Sequence, residues 1–385
     1  MSLNRYDVVV AGVGGMGSAA LFHAVRRGAR ALGLEQFAIP HDRGSSHGHT
    51  RIIRLAYWEH PSYVPLLGRA YELWRELQRA AGEPLLVTNG SIDAGPPDSG
   101  PVRGVLDACA RFDLRHEVLD SSALRLRFPG YRLPPHLVAI HQPDGGFLLP
   151  ERCILAHVNA ATRLGATVHT KERLVDWEAE ADHVTVRTDR STYATRRLIV
   201  TAGPWAGKTV RALQALVKVE RQVVMWVTPR VPDYFLPERF PVFYLHGDEG
   251  SFYGIPMFAD RGFKIGKYHH LRQIVDPDAV DRVCGEEDEA VLRQAIRRYF
   301  PDADGPAVSL QTCLFTNTAD EHFIIEALPG AHGVVVAAGF SGHGFKFGPL
   351  TGRVLAELVL QGKSAIPEFE RMRPRFAVHR RDAPG

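Results

Sequence analysis

A cysteine, a lysine and a glycine-rich loop in the last fifth of the chain bring together residue types that suit cofactor chemistry. Cys313 is a candidate reactive thiol, and Lys346 is a cation inside the loop formed by residues 339–348. This loop follows a predicted apolar strand and precedes a helix predicted over 349–360. Because a second glycine-rich loop occupies residues 12–17, the two loops could together hold one large cofactor.

The loop at 12–17 lies inside a predicted strand, helix and strand unit. A β-branched apolar strand is predicted over 6–11, a helix over 16–27 and a second strand over 31–34. The next residue, Glu35, stands about 20 residues beyond the glycines, where a carboxylate accepts hydrogen bonds from the ribose hydroxyls of a dinucleotide. The unit therefore predicts a dinucleotide site, and it does not separate NAD from FAD.

Each glycine of this loop has an expected physical role. Gly12 permits a tight turn, Gly14 lets backbone amides approach a pyrophosphate, and Gly17 lets the helix pack closely on the strand. The N-terminus of the helix adds partial positive charge. We expect Gly15 and Met16, which complete the loop, to contact the cofactor as well.

Length and composition bound the class of protein. A chain of 385 residues exceeds what one hydrophobic core usually fills, so two domains are expected. The composition is that of a globular protein, and a net charge of +3 is too small to indicate a nucleic acid or an anionic membrane as partner. The sequence shows neither a signal peptide nor an apolar run that could cross a bilayer, which predicts a cytoplasmic protein. The four cysteines have no CxxC spacing, which favours reduced thiols over disulfides or a zinc site.

The rest of the chain predicts further strands and helices. An apolar strand that begins at Leu198 ends on a small-residue turn at Gly203, a place where parallel strands commonly meet ligands. Residues 84–150 are punctuated by prolines and interrupt the first unit. Strands of a mostly antiparallel sheet are predicted over 223–227, 242–245, 252–255 and 262–266. Other strands are predicted near Thr167 and Val184 and over 333–339, and helices over 61–78, 151–164 and 286–299.

The sequence resembles the monomeric sarcosine oxidase family, which includes N-methyltryptophan oxidase and peroxisomal sarcosine/pipecolate oxidase. The resemblance covers nearly the whole chain. Besides the first glycine-rich unit, it rests on segments 46–54, 198–203, 221–224, 320–325 and 339–347 and on Lys264, Tyr268, His269 and Cys313. It implies a flavoenzyme of the glucose-oxidase-like FAD fold.

The expected fold class is therefore α/β, with a Rossmann-like FAD-binding domain that is discontinuous in sequence. We assign residues 1–84, 151–217 and 320–385 to this domain. Residues 85–150 and 218–319 are assigned to a substrate domain with a mostly antiparallel sheet.

The resemblance implies that Cys313 forms a thioether to the 8α-methyl group of FAD, which suits a nucleophilic thiolate. The alternative is a small buried core cysteine, the usual fate of a free thiol. We expect further FAD contacts from the loop residues Ser46, His47, Thr50 and Arg51, from Gly203, and from Gly342, Gly344, Phe345 and Lys346 of the second glycine-rich loop. No metal is predicted, because the His47 and His49 pair has no further ligand at a suitable spacing.

Arg54 and Lys346 match the family positions that bind the substrate carboxylate. A bidentate guanidinium and an ammonium can together fix an amino acid in front of the flavin. Lys264 matches the residue that activates O2, where a fixed cation lowers the cost of forming superoxide. As alternatives, Arg54 and Lys346 would be surface cations, and Lys264 would be an outward residue of an alternating strand.

Substrate contacts are expected from His269, Tyr253 and Phe315 as well. One extra residue before the paired histidines leaves open whether His269 or His270 faces the pocket. Phe315 replaces a tyrosine of sarcosine oxidase and His49 replaces an aspartate, so the size and polarity of the substrate are open. Met225, Tyr244 and Met257 are further candidates for the pocket wall.

We therefore predict an FAD-dependent oxidase of secondary amino acids, acting on sarcosine or a related N-methyl or cyclic amino acid and producing hydrogen peroxide from O2. Its expected partners are the small-molecule amine and O2, and the family implies a monomer. A dehydrogenase of the same fold with another electron acceptor and a catalytically silent flavin-binding module are the alternatives. An NAD-dependent dehydrogenase would rest on the N-terminal motif alone.

Overall fold

The structure is a computed structural model that describes residues 5–380. The helices are α1 (Gly17–Val25), α2 (Tyr63–Ala81), α3 (Gly100–Phe112), α4 (Ser121–Arg127), α5 (Pro150–Arg163), α6 (Ala206–Thr209), α7 (Glu286–Tyr299), α8 (Gly348–Gln361) and α9 (Pro367–Met372). The strands are β1 (Arg5–Ala11), β2 (Ala31–Glu35), β3 (Arg51–Ile53), β4 (Leu86–Thr88), β5 (Ser91–Gly95), β6 (Glu117–Leu119), β7 (Val138–Gln142), β8 (Gly146–Leu148), β9 (Thr167–Thr170), β10 (Leu174–Ala179), β11 (Val184–Thr188), β12 (Thr192–Val200), β13 (Lys218–Val227), β14 (Val242–Gly247), β15 (Gly250–Ile255), β16 (Phe263–Lys267), β17 (Ala307–Asn317), β18 (Ile324–Ala327) and β19 (Val334–Ala338). Short 3₁₀ helices span Gly203–Trp205, Arg211–Leu213, Pro232–Phe235, Pro301–Ala303, Phe345–Phe347 and Arg373–Phe376.

The first sheet has a parallel centre in the order β9, β2, β1, β12, β19. Its register places Ala11 of β1 beside Leu34 of β2 and Val200 of β12. The β-branched residues of β1 are fully buried, as expected for the middle of a parallel sheet covered on both faces. Because parallel strands end at the same edge, the loops that follow β1, β12 and β19 lie side by side.

Helices α1 and α8 lie on one face of this sheet, and α2 and α5 pack against them. Helices α1 and α8 approach so closely that a Cβ added to Gly352 would lie 2.4 Å from the Cβ of Ala19. The loop at 12–17 ends on the first residue of α1, and the second glycine-rich loop ends on the first residue of α8. The packing of these two helices therefore fixes the two loops relative to each other.

The second sheet runs in the order β17, β13, β16, β15, β14, β5, β7, β6, and only the pair β14 and β5 is parallel. Its core packs against α7 and is rich in phenylalanine. Acidic residues in the first turn of α7 and arginines in its last turn match the helix dipole. A small antiparallel sheet, β3, β8 and β4, lies outside these two, and β3 leads directly to Arg54.

The mixed α/β fold class predicted from the sequence is confirmed. All strands of the first sheet come from the segments assigned to FAD binding, and all strands of the second come from the segments assigned to the substrate domain. The domain limits themselves stay a prediction. Among residues 5–380, no helix has both the length and the apolar character that a bilayer crossing requires.

Several elements differ from the sequence expectation. Within the segment predicted to be short pieces, α3 is a 13-residue helix whose N-cap Ser99 accepts a hydrogen bond from the Val102 N–H. Strand β17, which carries Cys313, was not predicted, although Val308, Leu310, Thr312 and Leu314 alternate at strand spacing. Strand β10 was also missed, and none of its six residues is buried.

Candidate active site

A cavity at the carboxyl ends of β1 and β19 is lined by both glycine-rich loops. Gly12 has a φ of +93°, and a Cβ added there would lie 2.4 Å from the carbonyl oxygen of Thr201, so the turn requires glycine. At Gly14, in contrast, an added Cβ would meet no atom within 4 Å. The backbone at Gly14 is therefore open to the cavity, as close approach of a pyrophosphate requires.

Most of the predicted cofactor contacts line this one cavity. They are Gly12, Gly14, Gly15, Met16, Glu35, Ser46, Arg51, Gly203, Gly342, Gly344 and Phe345. Gly17, His47, Thr50, Cys313 and Lys346 are buried and do not line it. The reason at Gly17 is close packing, since an added Cβ would lie 1.8 Å from the carbonyl oxygen of Gly12.

Glu35, the last residue of β2, is tied to the first glycine-rich loop. The backbone N–H groups of Val13 and Phe37 donate to its two carboxylate oxygens at 2.9 and 3.1 Å. Burial raises the pKa of Glu35, and these two hydrogen bonds act in the opposite direction. Each carboxylate oxygen keeps a free lone pair, so Glu35 can also accept from ligand hydroxyls. Together with the open backbone at Gly14, this arrangement fits the ribose and pyrophosphate of FAD.

Lys264 connects strand β16 to the loop that precedes β3. Its Nζ donates to the carbonyl oxygens of Gly48 at 2.7 Å and Thr50 at 2.9 Å. From the other side, Glu151 Oε1 accepts from the backbone N–H groups of Gly48 and His49. The Lys264 side chain is buried rather than outward, and burial lowers its pKa well below the ordinary value.

The same loop carries the other predicted flavin contacts. Arg51 donates from Nη1 to the carbonyl oxygen of Thr50 and from Nη2 to that of Ser45, both at 2.9 Å. Burial, followed by the charge of Arg51, lowers the pKa of His47 to about 3, so its ring is neutral at physiological pH. Within residues 5–380, no three His, Cys, Asp or Glu side chains are placed to share a metal ion.

Cys313 lies in β17, where its neighbours Leu314 and Phe315 line the cavity. The thiol is 4% exposed, and Arg51 Nη2 donates to its sulfur at 3.6 Å. Phe315 packs under the second glycine-rich loop, since a Cβ added to Gly342 would lie 2.4 Å from its ring. The thiol is therefore buried, but it has a cation beside it, which a purely structural core cysteine does not need.

Arg54 and Lys346 share the ring of Tyr57. The guanidinium carbon and the ammonium nitrogen each lie 5.1 Å from the ring centre. Both cations are buried, so the alternative of two surface cations is wrong. Lys346 Nζ also donates to the carbonyl oxygen of His343 at 2.9 Å, and burial lowers the pKa of Lys346 to about 7.

Two carboxylates accompany these cations and were missed in the sequence. Asp93 Oδ1 lies 3.4 Å from Arg54 Nη1, and Glu59 Oε2 lies 3.5 Å from Arg54 Nη2. Burial alone would lower the pKa of Arg54, but Asp93 and Glu59 outweigh it and raise that pKa. The sequence offers no signal for either, and Asp93 stands out only in the structure, as an acid in the short strand β5, all of whose residues are buried.

The paired histidines take different places. His269 lies between two carboxylates, with Nδ1 2.8 Å from Glu220 Oε2 and Nε2 2.9 Å from Glu321 Oε1. These bonds, first Glu220 and then Glu321, raise the pKa of His269 to about 9. His269 is thus a protonated cation at neutral pH and does not fit the role of a base. His270 is buried, and its Nε2 lies 3.0 Å from Asp288 Oδ1.

The remaining predicted pocket residues divide between site and core. Tyr244 lies beside Arg54, with its ring centre 5.9 Å from the guanidinium carbon. Burial raises the pKa of Tyr253, and the nearby Cys313 adds to this shift. Met225 is fully buried in the core of the second sheet, and its placement in the pocket wall stays a prediction.

Comparisons with known proteins show which proteins the chain is similar to. A sequence model of the FAD dependent oxidoreductase family matches residues 7–358. Monomeric sarcosine oxidase of Streptomyces avermitilis is 41% identical over 94% of this chain and 95% of its own length, and N-methyl-L-tryptophan oxidase of Salmonella enteritidis is 33% identical over 94% and 96%. Among solved structures, NikD, an unusual amino acid oxidase essential for nikkomycin biosynthesis, superposes with a TM-score of 0.83 at 25% identity, covering 97% of both chains.

Proposed function

The chain belongs to the FAD dependent oxidoreductase family, and from this premise we propose that it is an oxidase of secondary amino acids such as sarcosine or a related N-methyl or cyclic amino acid. The observation that carries the proposal is the pair of buried cations, Arg54 and Lys346, on the ring of Tyr57. Lys346 belongs to the loop that lines the cofactor cavity, so an anion held here lies next to the cofactor.

Bound FAD would supply the electron acceptor, taking an electron pair and a proton from the C–H bond next to the amine nitrogen and passing the electrons on to O2, while any proton lost from nitrogen would go to water. Residues of both glycine-rich loops, with Glu35 and Arg51, would hold it in the cavity. We propose that Arg54 and Lys346 orient the substrate by its carboxylate. The imine product would then hydrolyse in water.

His269 does not fit the role of a base, since it is held as a cation by Glu220 and Glu321. The substrate would therefore enter with a neutral amine. Lys264, whose ammonium group is buried against the carbonyl groups of Gly48 and Thr50, is the proposed site at which negative charge on O2 is stabilised.

We further propose that Cys313 is joined covalently to FAD. Bond formation would link its Sγ to the 8α carbon, with loss of the thiol proton and of one 8α hydrogen. The two electrons released would pass to O2, giving one hydrogen peroxide per bond formed. Support comes from the cation of Arg51 beside the buried sulfur.

The test is anaerobic mixing of the FAD-loaded protein with sarcosine, N-methyl-L-tryptophan and L-pipecolate, with glycine as the primary-amine control. We expect loss of the oxidised flavin absorbance with at least one secondary amine, and one hydrogen peroxide per substrate in air. A flavin that stays oxidised throughout would contradict the function. Rapid bleaching followed by slow reaction with O2, but fast reaction with a dye, would favour the dehydrogenase.

A further inference from the structure

We propose that Asp93 is a specificity-determining residue that weakens the preference of this site for a substrate carboxylate. Amides or esters of secondary amino acids would then bind about as well as the free acids. This inference rests on the proposed function, because it concerns the group that the oxidised amine carries next to Arg54 and Lys346.

Asp93 lies on the same side of the second sheet as the proposed substrate site. It stands in β5 directly beside Tyr244 of the parallel strand β14. Residues paired in this way point to the same face of a sheet. Tyr244 contacts Arg54, and Asp93 Oδ1 lies 3.4 Å from Arg54 Nη1. Asp93 is therefore a direct neighbour of the proposed carboxylate-binding group.

Both terminal nitrogens of the Arg54 guanidinium already face oxygen atoms of the protein. Its Nη1 donates to the carbonyl oxygen of Ala56 at 2.5 Å and lies close to Asp93, while its Nη2 faces Glu59. With Lys346, the cluster holds two basic and two acidic groups, so its formal charge is zero when all four are ionised. A substrate carboxylate would bring a third anion to this cluster, within reach of two carboxylates of like sign.

The second observation is that no group of the described residues donates a hydrogen bond to Asp93. Neither of its carboxylate oxygens has a hydrogen-bond partner among the described residues, and the residue is 2% exposed. The charge of Asp93 thus depends on its ion pair with Arg54. A substrate carboxylate that drew the guanidinium away would leave Asp93 buried and uncompensated, whereas a neutral amide could accept from Lys346 and leave the pair intact.

The experiment uses two matched pairs of ligands with the FAD-loaded protein. Sarcosine and sarcosinamide compare the oxidation of an acid with that of its amide. Methoxyacetate and 2-methoxyacetamide lack the amine, so they report binding alone through the change that they cause in the flavin absorbance. Wild type is compared with Asp93→Asn and with Asp98→Asn, the same change at an exposed position.

We expect methoxyacetate to bind the wild type no more than about tenfold more tightly than its amide. Asp93→Asn should raise the acid-to-amide ratio, both in Kd and in kcat/KM, by about tenfold or more, and Asp98→Asn should leave it unchanged. A wild type that prefers the acid by more than about tenfold, or a ratio that Asp93→Asn leaves unchanged, would overturn the proposal.

The two proposals fail in different ways. If no amine bleaches the flavin, the proposed oxidase activity fails, but the binding of the methoxy pair still tests the role of Asp93. If Asp93→Asn does not retain FAD, the proposal is tested by the acid-to-amide Kd ratio of the wild type and by Glu59→Gln. Glu59 is the other anion beside Arg54, so its removal must also raise the acid-to-amide ratio.

Discussion

Arg51 of the small sheet contacts Cys313 of the second sheet, where a guanidinium nitrogen donates to the thiol sulfur at 3.6 Å. Arg51 begins β3, and Cys313 lies in the long strand β17. The sulfur also lies 3.8 Å from the carbonyl oxygen of Ser45. A fixed cation in this place stabilises the negative charge that a thiol carries when it attacks an electrophilic carbon.

The first prediction follows from this contact. Acid precipitation of the wild type should leave flavin absorbance in the pellet, whereas Cys313→Ser should release its FAD into the supernatant. Cys284→Ser is the matched control and should behave as wild type, because Cys284 is near Thr312 but not near Arg51. Yellow supernatant from the wild type would contradict the covalent bond and leave the fold assignment untouched.

Lys264→Met should slow the reaction of the reduced flavin with O2 by about a hundredfold or more, because a preorganised charge is lost where superoxide forms. Reduction by the amine should change far less. Lys267→Met, at the end of the same strand but partly exposed, is the control. Since burial lowers the pKa of Lys264, the wild-type rate with O2 should also fall as the pH rises. Stopped-flow mixing with oxygenated buffer measures both, and equal rates in wild type and Lys264→Met would exclude this role.

The affinity for a carboxylate should depend on pH through Lys346. Burial lowers the pKa of this residue to about 7, so its cation is present below that pH and is lost above it. The Kd of methoxyacetate should therefore rise by roughly tenfold as the pH increases through about 7. Lys346→Gln should remove this step and leave only the change due to Asp93, whose burial raises its pKa to about 6. A step near pH 7 that survives in Lys346→Gln would refute the assignment.

Gly14→Val should impair cofactor binding, whereas Gly12→Val should impair folding. At Gly14 the added side chain enters open cavity, so the protein should fold with a nearly unchanged Tm but bind FAD at least about tenfold more weakly. At Gly12 the positive φ and the contact with Thr201 should destabilise the fold itself. Thermal unfolding without FAD, followed by FAD titration, distinguishes the two. Tight FAD binding by Gly14→Val would show that the pyrophosphate lies elsewhere.

His269→Gln should destabilise the protein more at low pH than at high pH. The pKa of His269 is raised to about 9 in the folded chain, above its unfolded value of about 6.5. Its ion pairs with Glu220 and Glu321 therefore contribute fully below pH 6.5, and the contribution is lost as the pH rises through 9. The Tm difference from wild type should be larger at pH 6 than at pH 10, and the exposed control His332→Gln should show no such trend.

The sequence predicts most accurately those features that depend on neighbouring residues. The turn at Gly12, the packing at Gly17 and the position of Glu35 follow from local spacing, and the structure places all three at the expected loop. Asp93 could not be assigned in this way, because its contact with Arg54 is a tertiary contact between strand β5 and the end of β3, which no local spacing predicts. The same holds for His269, whose partners lie on β13 and in the turn before β18.

The position of β19 has a consequence for biosynthesis. This strand pairs with β12 in the middle of a sheet that begins at residue 5, and it delivers the loop that carries Lys346. A growing chain on the ribosome therefore lacks the second glycine-rich loop of the cavity until residues 339–348 have emerged. Closing contacts between the two ends of a chain is slow because of the entropy of the long loop between them. FAD binding is thus expected late in translation, and a protein truncated before residue 334 lacks the complete site.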